Sequence, residues 1–100
     1  MSRLSIIVPA LVVASGIAAC LAPLQPMRAR GGEVIVVDGG SGDDTVAVAR
    51  PLADRVTAAP RGRAAQMNAG ASLAAGDTLL FLHADTRLPD DADTLVLEGL

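Results

Sequence analysis

Apolar and polar positions divide the chain into short apolar runs separated by longer mixed segments. Residues 4–8 (LSIIV), 33–37 (EVIVV) and 77–82 (DTLLFL) are runs dominated by β-branched and leucine side chains. Such runs are typical of strands that are buried on both faces of a parallel sheet. Residues 55–58 predict a shorter strand between the second and third of these runs. The pattern therefore predicts four strands.

The segments between the first strands predict helices with recognisable ends. Residues 13–22 favour a helix that ends before Pro23, because proline disfavours helical backbone in the residue that precedes it. After the second strand, Asp43 or Asp44 can cap a helix that extends to about residue 53.

The second half of the chain predicts two more helices. Residues 63–75 favour a helix that is terminated by Gly76. Pro89 can open a last helix, whose first turn would hold three carboxylates that complement the helix dipole: Asp90, Asp91 and Asp93. Alternating strands and helices imply right-handed crossovers, so the predicted class is α/β, a Rossmann-like parallel sheet with flanking helices in the order βαβαβαβ.

Composition narrows the possible functions. With 100 residues and 51% hydrophobic side chains, the sequence predicts one small folded unit and excludes a disordered chain. Its single cysteine excludes a disulfide framework and a multi-cysteine zinc site. All eight basic residues are arginine, which excludes mechanisms that need lysine, such as the P-loop and the Schiff base. The net charge of −3 argues against a nucleic-acid partner.

The apolar N-terminus allows a second interpretation, in which residues 1–20 are an export signal. Residues 4–24 carry no charged side chain, Arg3 precedes them, and residues 17–20 (IAAC) look like a lipoprotein cleavage site with Cys20 as the lipidated residue. On that interpretation the protein is exported or membrane-anchored and is not an enzyme. A strand followed by a buried helix would have the same hydropathy.

Polar residues follow the predicted strands at the edge where ligands bind in parallel sheets. Asp38 and Ser41 follow the second strand, and His83 and Asp85 follow the last. The glycines after Asp38 let backbone approach a nucleotide, whose base or ribose the carboxylate can bind. The complete dinucleotide-binding fingerprint is absent, since Thr45 stands at its third glycine position. An ordinary strand-to-helix turn accounts for the same residues.

Two further groups of residues are candidates for binding phosphate and metal. Asp85 offers oxygen ligands to Mg²⁺ or Mn²⁺, and His83, two residues earlier, could add a nitrogen on the same side of an extended chain. A phosphatase of the haloacid-dehalogenase type needs a second aspartate where this chain has His83. Arg61 and Arg63 lie before a predicted helix, a suitable corner for a diphosphate. A capped turn at Asp85 and a solvated basic turn at the arginines are the structural alternatives.

Four sequence blocks occur in order along nearly the whole chain. They are residues 5–10 (SIIVPA), 33–41 (EVIVVDGGS), 61–70 (RGRAAQMNAG) and 79–86 (LLFLHADT), the last followed by Leu88 and Pro89. Together they resemble the family 2 glycosyltransferases of the GT-A fold. The likeness is greatest to the bacterial subgroup associated with radical-SAM and selenoprotein domains.

The resemblance implies transfer of a sugar from a nucleoside-diphosphate donor, such as a UDP-sugar, to an unidentified acceptor. It implies that one set of residues binds the donor: Pro9, Ala10, Asp38, Gly40, Ser41, Arg61 and Arg63. Asp85 would match the last carboxylate of the family's Asp-x-Asp metal motif, and His83 would replace the first. The cofactor would be Mg²⁺ or Mn²⁺, which offsets charge on the departing nucleoside diphosphate.

The sequence departs from the family pattern in two places. After Leu11 the family usually has Asn-Glu, whereas this chain has Val12 and Val13, so a polar pair beside the nucleotide site is lost. The family domain also continues with the acceptor site and the general base, which we expect to lie beyond Leu100, so no catalytic residue is assigned.

Residues 1–100 are therefore expected to be the donor-binding part of a glycosyltransferase domain, with an inactive fragment as the alternative. Since the first strand continues into a matching remainder, we expect a cytoplasmic location. Membrane association is possible but not indicated.

Overall fold

The computed structural model describes residues 3–99, and within that range four strands form one parallel sheet. The strands are β1 (Leu4–Ala10), β2 (Glu33–Asp38), β3 (Arg55–Ala58) and β4 (Thr78–Phe81). Their order across the sheet is β3-β2-β1-β4. The predicted α/β class is confirmed, and the two most buried strands, β1 and β2, occupy the centre.

Two predictions extend past the described residues. Leu100, beyond which the general base is expected, lies outside them, so the position of a catalytic base stays a prediction. Met1 and Ser2, the first residues of the suggested export signal, also lie outside the described residues.

Helices flank the sheet on both faces. In chain order they are α1 (Ala14–Leu21), α2 (Gln25–Ala29), α3 (Thr45–Ala49), α4 (Arg63–Leu73) and α5 (Ala92–Gly99). Two short 3-10 turns, Ala22–Leu24 and Arg50–Leu52, continue α1 and α3.

Alternation along β1 divides the core between the two faces of the sheet. Leu4, Ile6 and Val8 are fully buried on the face that α1 covers, where they pack in one cluster with Ile17 and Leu21. This is the larger core, because side chains of α2 and α3 also join it.

The opposite face holds a smaller core beneath α4. Ile7, Ile35 and Val37 are fully buried there. The helix lies very close to the sheet at Gly70, where a Cβ atom would overlap the Ile7 side chain. Glycine at this position therefore allows α4, which begins with Arg63, to pack directly on β1 and β2.

The structure corrects the predicted ends of a strand and of several helices in the first half of the chain. Pro9 lies within β1 rather than after it. The first helix ends before Pro23 as predicted, but Pro23 sits in a 3-10 turn that leads into α2, a helix that the pattern does not predict. Asp43, rather than Asp44, supplies the carboxylate that accepts the Thr45 amide, at 3.1 Å.

Predicted helix ends in the second half also move. Helix α4 ends at Leu73, so Gly76 does not terminate it. Gly76 instead packs on β1, where a Cβ would lie 2.5 Å from Ser5 Oγ. Pro89 does not open the last helix, which starts at Ala92, and only Asp93 of the three predicted carboxylates lies in its first turn.

The N-terminal segment forms the centre of the fold. Residues 4–10 are a central strand, and Cys20 is fully buried in α1. This is the arrangement expected of a strand followed by a buried helix. Among residues 3–99, the helices are too short or too polar to cross a bilayer. The cellular location stays a prediction.

Candidate functional site

A cavity of about 240 Å³ opens where β1 and β4 end and α4 begins. Its lining comes from three separate parts of the chain: Pro9, Ala10, Leu11, Arg63, Gln66, Met67, Phe81, Leu82 and His83. Four predicted site residues are thus brought together, namely Pro9, Ala10, Arg63 and His83. The parallel direction of the strands causes this convergence, because it places all of their carboxyl ends at the same edge of the sheet.

Asp38 lies beside the cavity, at the end of β2 and paired with Ala10. Its Oδ2 accepts hydrogen bonds from the amides of Gly40 and Ser41, both at 3.0 Å, and its Oδ1 accepts one from the Ser41 hydroxyl. The residue is only 6% exposed. Asp38 therefore shapes its own turn, as an aspartate commonly does after a strand. Asp38, Gly40 and Ser41 do not line the cavity.

The turn after β2 also holds the loop after β1. The amide of Val12 donates to Ser41 Oγ at 2.8 Å, and the amide of Val13 donates to Thr45 Oγ1 at 2.9 Å. The amide of Ala14 donates to an Asp43 carboxylate oxygen at 3.2 Å. These amides belong to the start of α1, whose N-cap has no capping side chain of its own. The second loop thus satisfies the donors that a helix N-terminus leaves open.

Val12 adopts an unusual backbone conformation in this loop. Its φ is +52°, in the left-handed region, and its side chain is 60% exposed. A β-branched residue is strained there, whereas asparagine adopts this region readily. The departure from the family's usual Asn-Glu therefore falls at a position whose backbone favours asparagine.

Asp43 carries a perturbed pKa within the same network. The hydrogen bond from the Thr45 hydroxyl, followed by bonds from backbone amides, lowers the pKa of Asp43 below its ordinary value. The amide of Ala14 is one of these backbone donors, so the contact between the two loops itself favours the charged form of Asp43.

Gln66 connects the cavity walls from below, and sequence analysis did not identify it. The residue is 5% exposed, and its Nε2 donates to the carbonyl oxygens of Ala10 at 3.1 Å and Val37 at 2.9 Å. Its Oε1 accepts the Gly62 amide at 3.2 Å. Its position in the sequence does give one indication. Gln66 lies four residues before Gly70 and therefore on the same face of α4, the face that packs on the sheet, where a buried amide needs hydrogen-bond partners.

Arg63 and His83 meet at the mouth of the cavity, where both are exposed. Arg63 Nη2 contacts His83 Nε2. Since a guanidinium can only donate, Nε2 of His83 is the acceptor in this contact. Arg61 is exposed, lies two residues before α4 and does not line the cavity.

Asp85 and His83 are the residues that could hold a metal. Asp85 is exposed in the turn after β4, which is closed by a hydrogen bond from the Thr86 amide to the His83 carbonyl at 3.0 Å. Residues 3–99 contain no cluster of three or more acidic, histidine or cysteine ligands. Cys20, whose Sγ lies 3.7 Å from the His83 carbonyl oxygen, is a poor ligand, because burial raises the pKa of its thiol. An exposed carboxylate with open positions fits a Mg²⁺ or Mn²⁺ ion that takes its other ligands from phosphate and water.

The sequence is similar to known glycosyltransferases. The sequence profile described as Glycosyl transferase family 2 matches residues 5–100. A PGL/p-HBAD biosynthesis glycosyltransferase of Mycobacterium bovis is 39% identical over 98 residues, which cover 91% of this chain and 38% of the relative. The chain thus spans 38% of the length of this curated relative.

Structural comparison gives the same fold. A glucosyl-3-phosphoglycerate synthase from Mycobacterium tuberculosis, solved with Mn²⁺ and UDP, superposes with a TM-score of 0.82 at 22% identity, covering 98% of this chain and 39% of the other. A mannosyltransferase from Pyrobaculum calidifontis, solved with GDP-Man and Mn²⁺, gives a TM-score of 0.79 at 28% identity, covering 90% and 30%.

Proposed function

The chain belongs to glycosyl transferase family 2, and we propose that it binds the nucleotide-sugar donor of a sugar-transfer reaction at the cavity between β1, β4 and α4. The observation that carries the proposal is the convergence of Pro9, Ala10, Arg63 and His83 from three distant sequence blocks on one cavity. In the whole protein, the sugar would pass from the nucleoside diphosphate to an acceptor that is not identified, with a general base supplied from beyond Leu100.

The cavity and its surroundings support separate subsites for the parts of the donor. A volume of about 240 Å³ is below the usual size of a pocket for a complete small-molecule ligand, so it suits a base or ribose. Pro9 and Ala10 supply an apolar wall for the base. Asp38 retains lone pairs for a base or ribose donor, since a carboxylate can accept about four hydrogen bonds. The turn at Gly40 and Ser41 keeps that carboxylate in place.

The cationic side of the cavity suits the diphosphate. Arg63 opens α4 and contributes a guanidinium with several donors, and Arg61 lies in the turn that precedes it. Charge-assisted hydrogen bonds from arginine to phosphate are among the stronger polar contacts in proteins. A diphosphate that engages Arg63 would draw it away from His83.

A divalent cation would complete the site. Asp85 and His83 would hold it, and the complex of the Pyrobaculum calidifontis mannosyltransferase with GDP-Man and Mn²⁺ supports this part of the proposal. When bound, Mg²⁺ or Mn²⁺ would offset the charge that develops on the departing nucleoside diphosphate. His83 in place of a first aspartate also supports membership of the bacterial subgroup associated with radical-SAM and selenoprotein domains.

Titration calorimetry of the purified chain tests donor binding. UDP and GDP, each with Mn²⁺ or with EDTA, are compared with uridine and guanosine. We expect one diphosphate to bind better with Mn²⁺, and to bind better than its nucleoside. Arg63→Ala should remove about tenfold of the preference for diphosphate over nucleoside, whereas Arg55→Ala, an exposed arginine on β3, should leave it unchanged. No binding of either diphosphate would contradict the proposal.

We also propose a cytoplasmic location, supported by the use of residues 4–10 as a central strand. The mass of the mature protein tests it. An unmodified Cys20 in an uncleaved chain is expected, whereas cleavage before Cys20 with a lipid on its thiol would favour the exported lipoprotein.

A further inference from the structure

Gln66 occupies a position that connects the walls of the cavity. It is the buried amide whose Nε2 donates to Ala10 and Val37, at the ends of β1 and β2, and whose Oε1 accepts the amide of Gly62. Ala10 lines the cavity, and Gly62 precedes Arg63, which lines it from the other side. We infer that Gln66 is a positioning residue that sets the separation of these walls and thereby the affinity for the nucleoside diphosphate. This inference deepens the proposed function and rests on it.

The three hydrogen bonds fix the orientation of the amide group. Nε2 must face the two carbonyl oxygens, because only the NH₂ group can donate to both, and Oε1 must face Gly62. All three partners are main-chain groups. Gln66 is therefore bonded to the backbone of β1, of β2 and of the residue before α4, and not to flexible side chains. A buried amide that satisfies three separate segments restrains their relative positions, since any displacement leaves a polar group unpaired.

The backbone around Gln66 is shaped to admit it. A Cβ atom on Gly39 would lie 2.8 Å from Gln66 Oε1 and 2.9 Å from its Cδ. Gly39 has no positive φ, so alanine is compatible with its backbone, and the clash with Gln66 is the specific cost of that substitution. Gly62, by contrast, has a φ of +145°, which favours glycine on conformational grounds. The absence of a side chain at Gly39 is therefore explained by the space that Gln66 needs.

Gln66 borders the cavity with only 5% of its surface exposed, and both hydrogens of its amide group are used by backbone carbonyls, so it acts on the ligand mainly through the groups that it holds. It binds the carbonyl of Ala10 and so fixes the position of the apolar wall formed by Pro9 and Ala10, and of Leu11 after it. It also holds the amide of Gly62, so the guanidinium of Arg63 is placed relative to that wall. Because misplacement of binding groups by a small distance weakens binding, the loss of Gln66 should reduce affinity even in a fully folded protein.

The experiment compares Gln66→Met and Gln66→Glu with the unaltered chain. Methionine has nearly the same length but makes no hydrogen bonds of this kind, and an ionised glutamate cannot donate to the two carbonyls. Affinity is measured for UDP and GDP with Mn²⁺, at a temperature where circular dichroism shows each variant to be folded. We expect both variants to bind the preferred diphosphate about tenfold more weakly at neutral pH, with glutamate recovering part of the affinity in mild acid as it becomes a donor. Ser72→Ala, which removes an exposed hydroxyl from the same helix, should change affinity by less than about twofold.

A double-mutant comparison separates positioning from general destabilisation. Gly39→Ala should weaken binding in the unaltered chain by displacing Gln66. It should have little further effect in a chain that also carries Gln66→Ala, because the side chain with which it clashes is gone. Additive effects of the two substitutions, or unchanged affinity in folded Gln66→Met, would overturn the inference.

Failure of the proposed function gives a different result. If the unaltered chain binds neither diphosphate, the proposed function fails. The remaining part of the inference, that Gln66 sets the separation of the cavity walls, is then decided by amide hydrogen exchange in the ligand-free protein. Faster exchange at Gly62 in Gln66→Met than in Ser72→Ala would support positioning of the cavity walls, and equal exchange would overturn it.

Discussion

The amide of Val12 donates a hydrogen bond to the hydroxyl of Ser41 at 2.8 Å, and that hydroxyl donates in turn to Asp38. This relay ties the loop after β1 to the carboxylate that ends β2. It also places Val12, at a φ of +52°, beside the part of the cavity formed by Leu11. The loops that border the candidate site are therefore arranged by side chains of the second loop.

Replacing Val12 should stabilise the chain. Asparagine tolerates the left-handed region that valine occupies under strain, so Val12→Asn should raise the free energy of unfolding by about 1 kcal/mol. Urea denaturation followed by circular dichroism measures the change. Val12→Thr, which keeps a β-branched side chain at the same position, is the matched control and should not stabilise. An unchanged or lower stability for Val12→Asn would show that the loop is not strained.

Removing the Ser41 hydroxyl should loosen both loops. Ser41→Ala loses the acceptor for the Val12 amide and the donor to Asp38, which should cost about 1–2 kcal/mol of stability. Hydrogen exchange at the Val12 amide should accelerate. Ser41→Thr keeps the hydroxyl and should retain most of the protection. Equal exchange rates in the alanine and threonine variants would contradict the relay.

The stability of the fold should fall in acid partly through Asp93. Its carboxylate pairs with Arg30 at 2.6 Å, and the hydrogen bond from that guanidinium lowers the pKa of Asp93 below its ordinary value. A carboxylate whose pKa is depressed by folding contributes stability above the pKa of the unfolded chain, and that stability is lost as the pH falls through the folded value.

Asp93→Asn should therefore reduce the slope of unfolding free energy against pH below about pH 4. Above that range the variant should be less stable by an amount that no longer changes with pH. Denaturation at a series of pH values provides the measurement. Asp91→Asn, an exposed neighbour, serves as the control. A slope identical to that of the unaltered chain would exclude the Arg30 pair as a source of the acid sensitivity.

Asp85 should carry the metal dependence of nucleotide binding. Asp85→Asn should abolish most of the gain in diphosphate affinity that Mn²⁺ gives, while leaving affinity in EDTA nearly unchanged. His83→Ala should lose less of that gain, because Asp85 supplies the oxygen ligand that hard cations prefer. Asp91→Asn is again the control, since it carries the same charge change outside the cavity. A full Mn²⁺ response in Asp85→Asn would remove this residue from the metal site.

The sequence predicted the central strands of the sheet best, because a short run of apolar, β-branched residues is stable mainly as a buried strand. Residues 4–8 and 33–37 predict buried parallel strands, and β1 and β2 are the buried centre of the sheet, because such runs are stable only when both faces are covered. Helix ends were less predictable. Gly76 suits a helix terminus in sequence, yet it is needed for close packing against Ser5, a tertiary contact that no local pattern indicates.

The same limit applies to the site. Arg63 and His83 were predicted from their positions at the start of a helix and after a strand, whereas Pro9 was implied by the family resemblance, and all three line one cavity. Gln66 was not predicted, because its importance comes from carbonyl groups at the ends of two strands that only the folded sheet brings together. Asp85 follows β4 as expected, but it is not among the residues that line the cavity.

The cavity at the carboxyl ends of the strands is proposed to bind a nucleoside diphosphate. Mapping of backbone amide chemical shifts by nuclear magnetic resonance, during addition of UDP or GDP with Mg²⁺, tests it most directly. We expect saturable shifts at Leu11, Gly62, Arg63 and His83, with little change at Gly31 and Gly32 on the opposite edge of the sheet. Saturable shifts centred on that opposite edge, or none at all with either nucleotide, would contradict it.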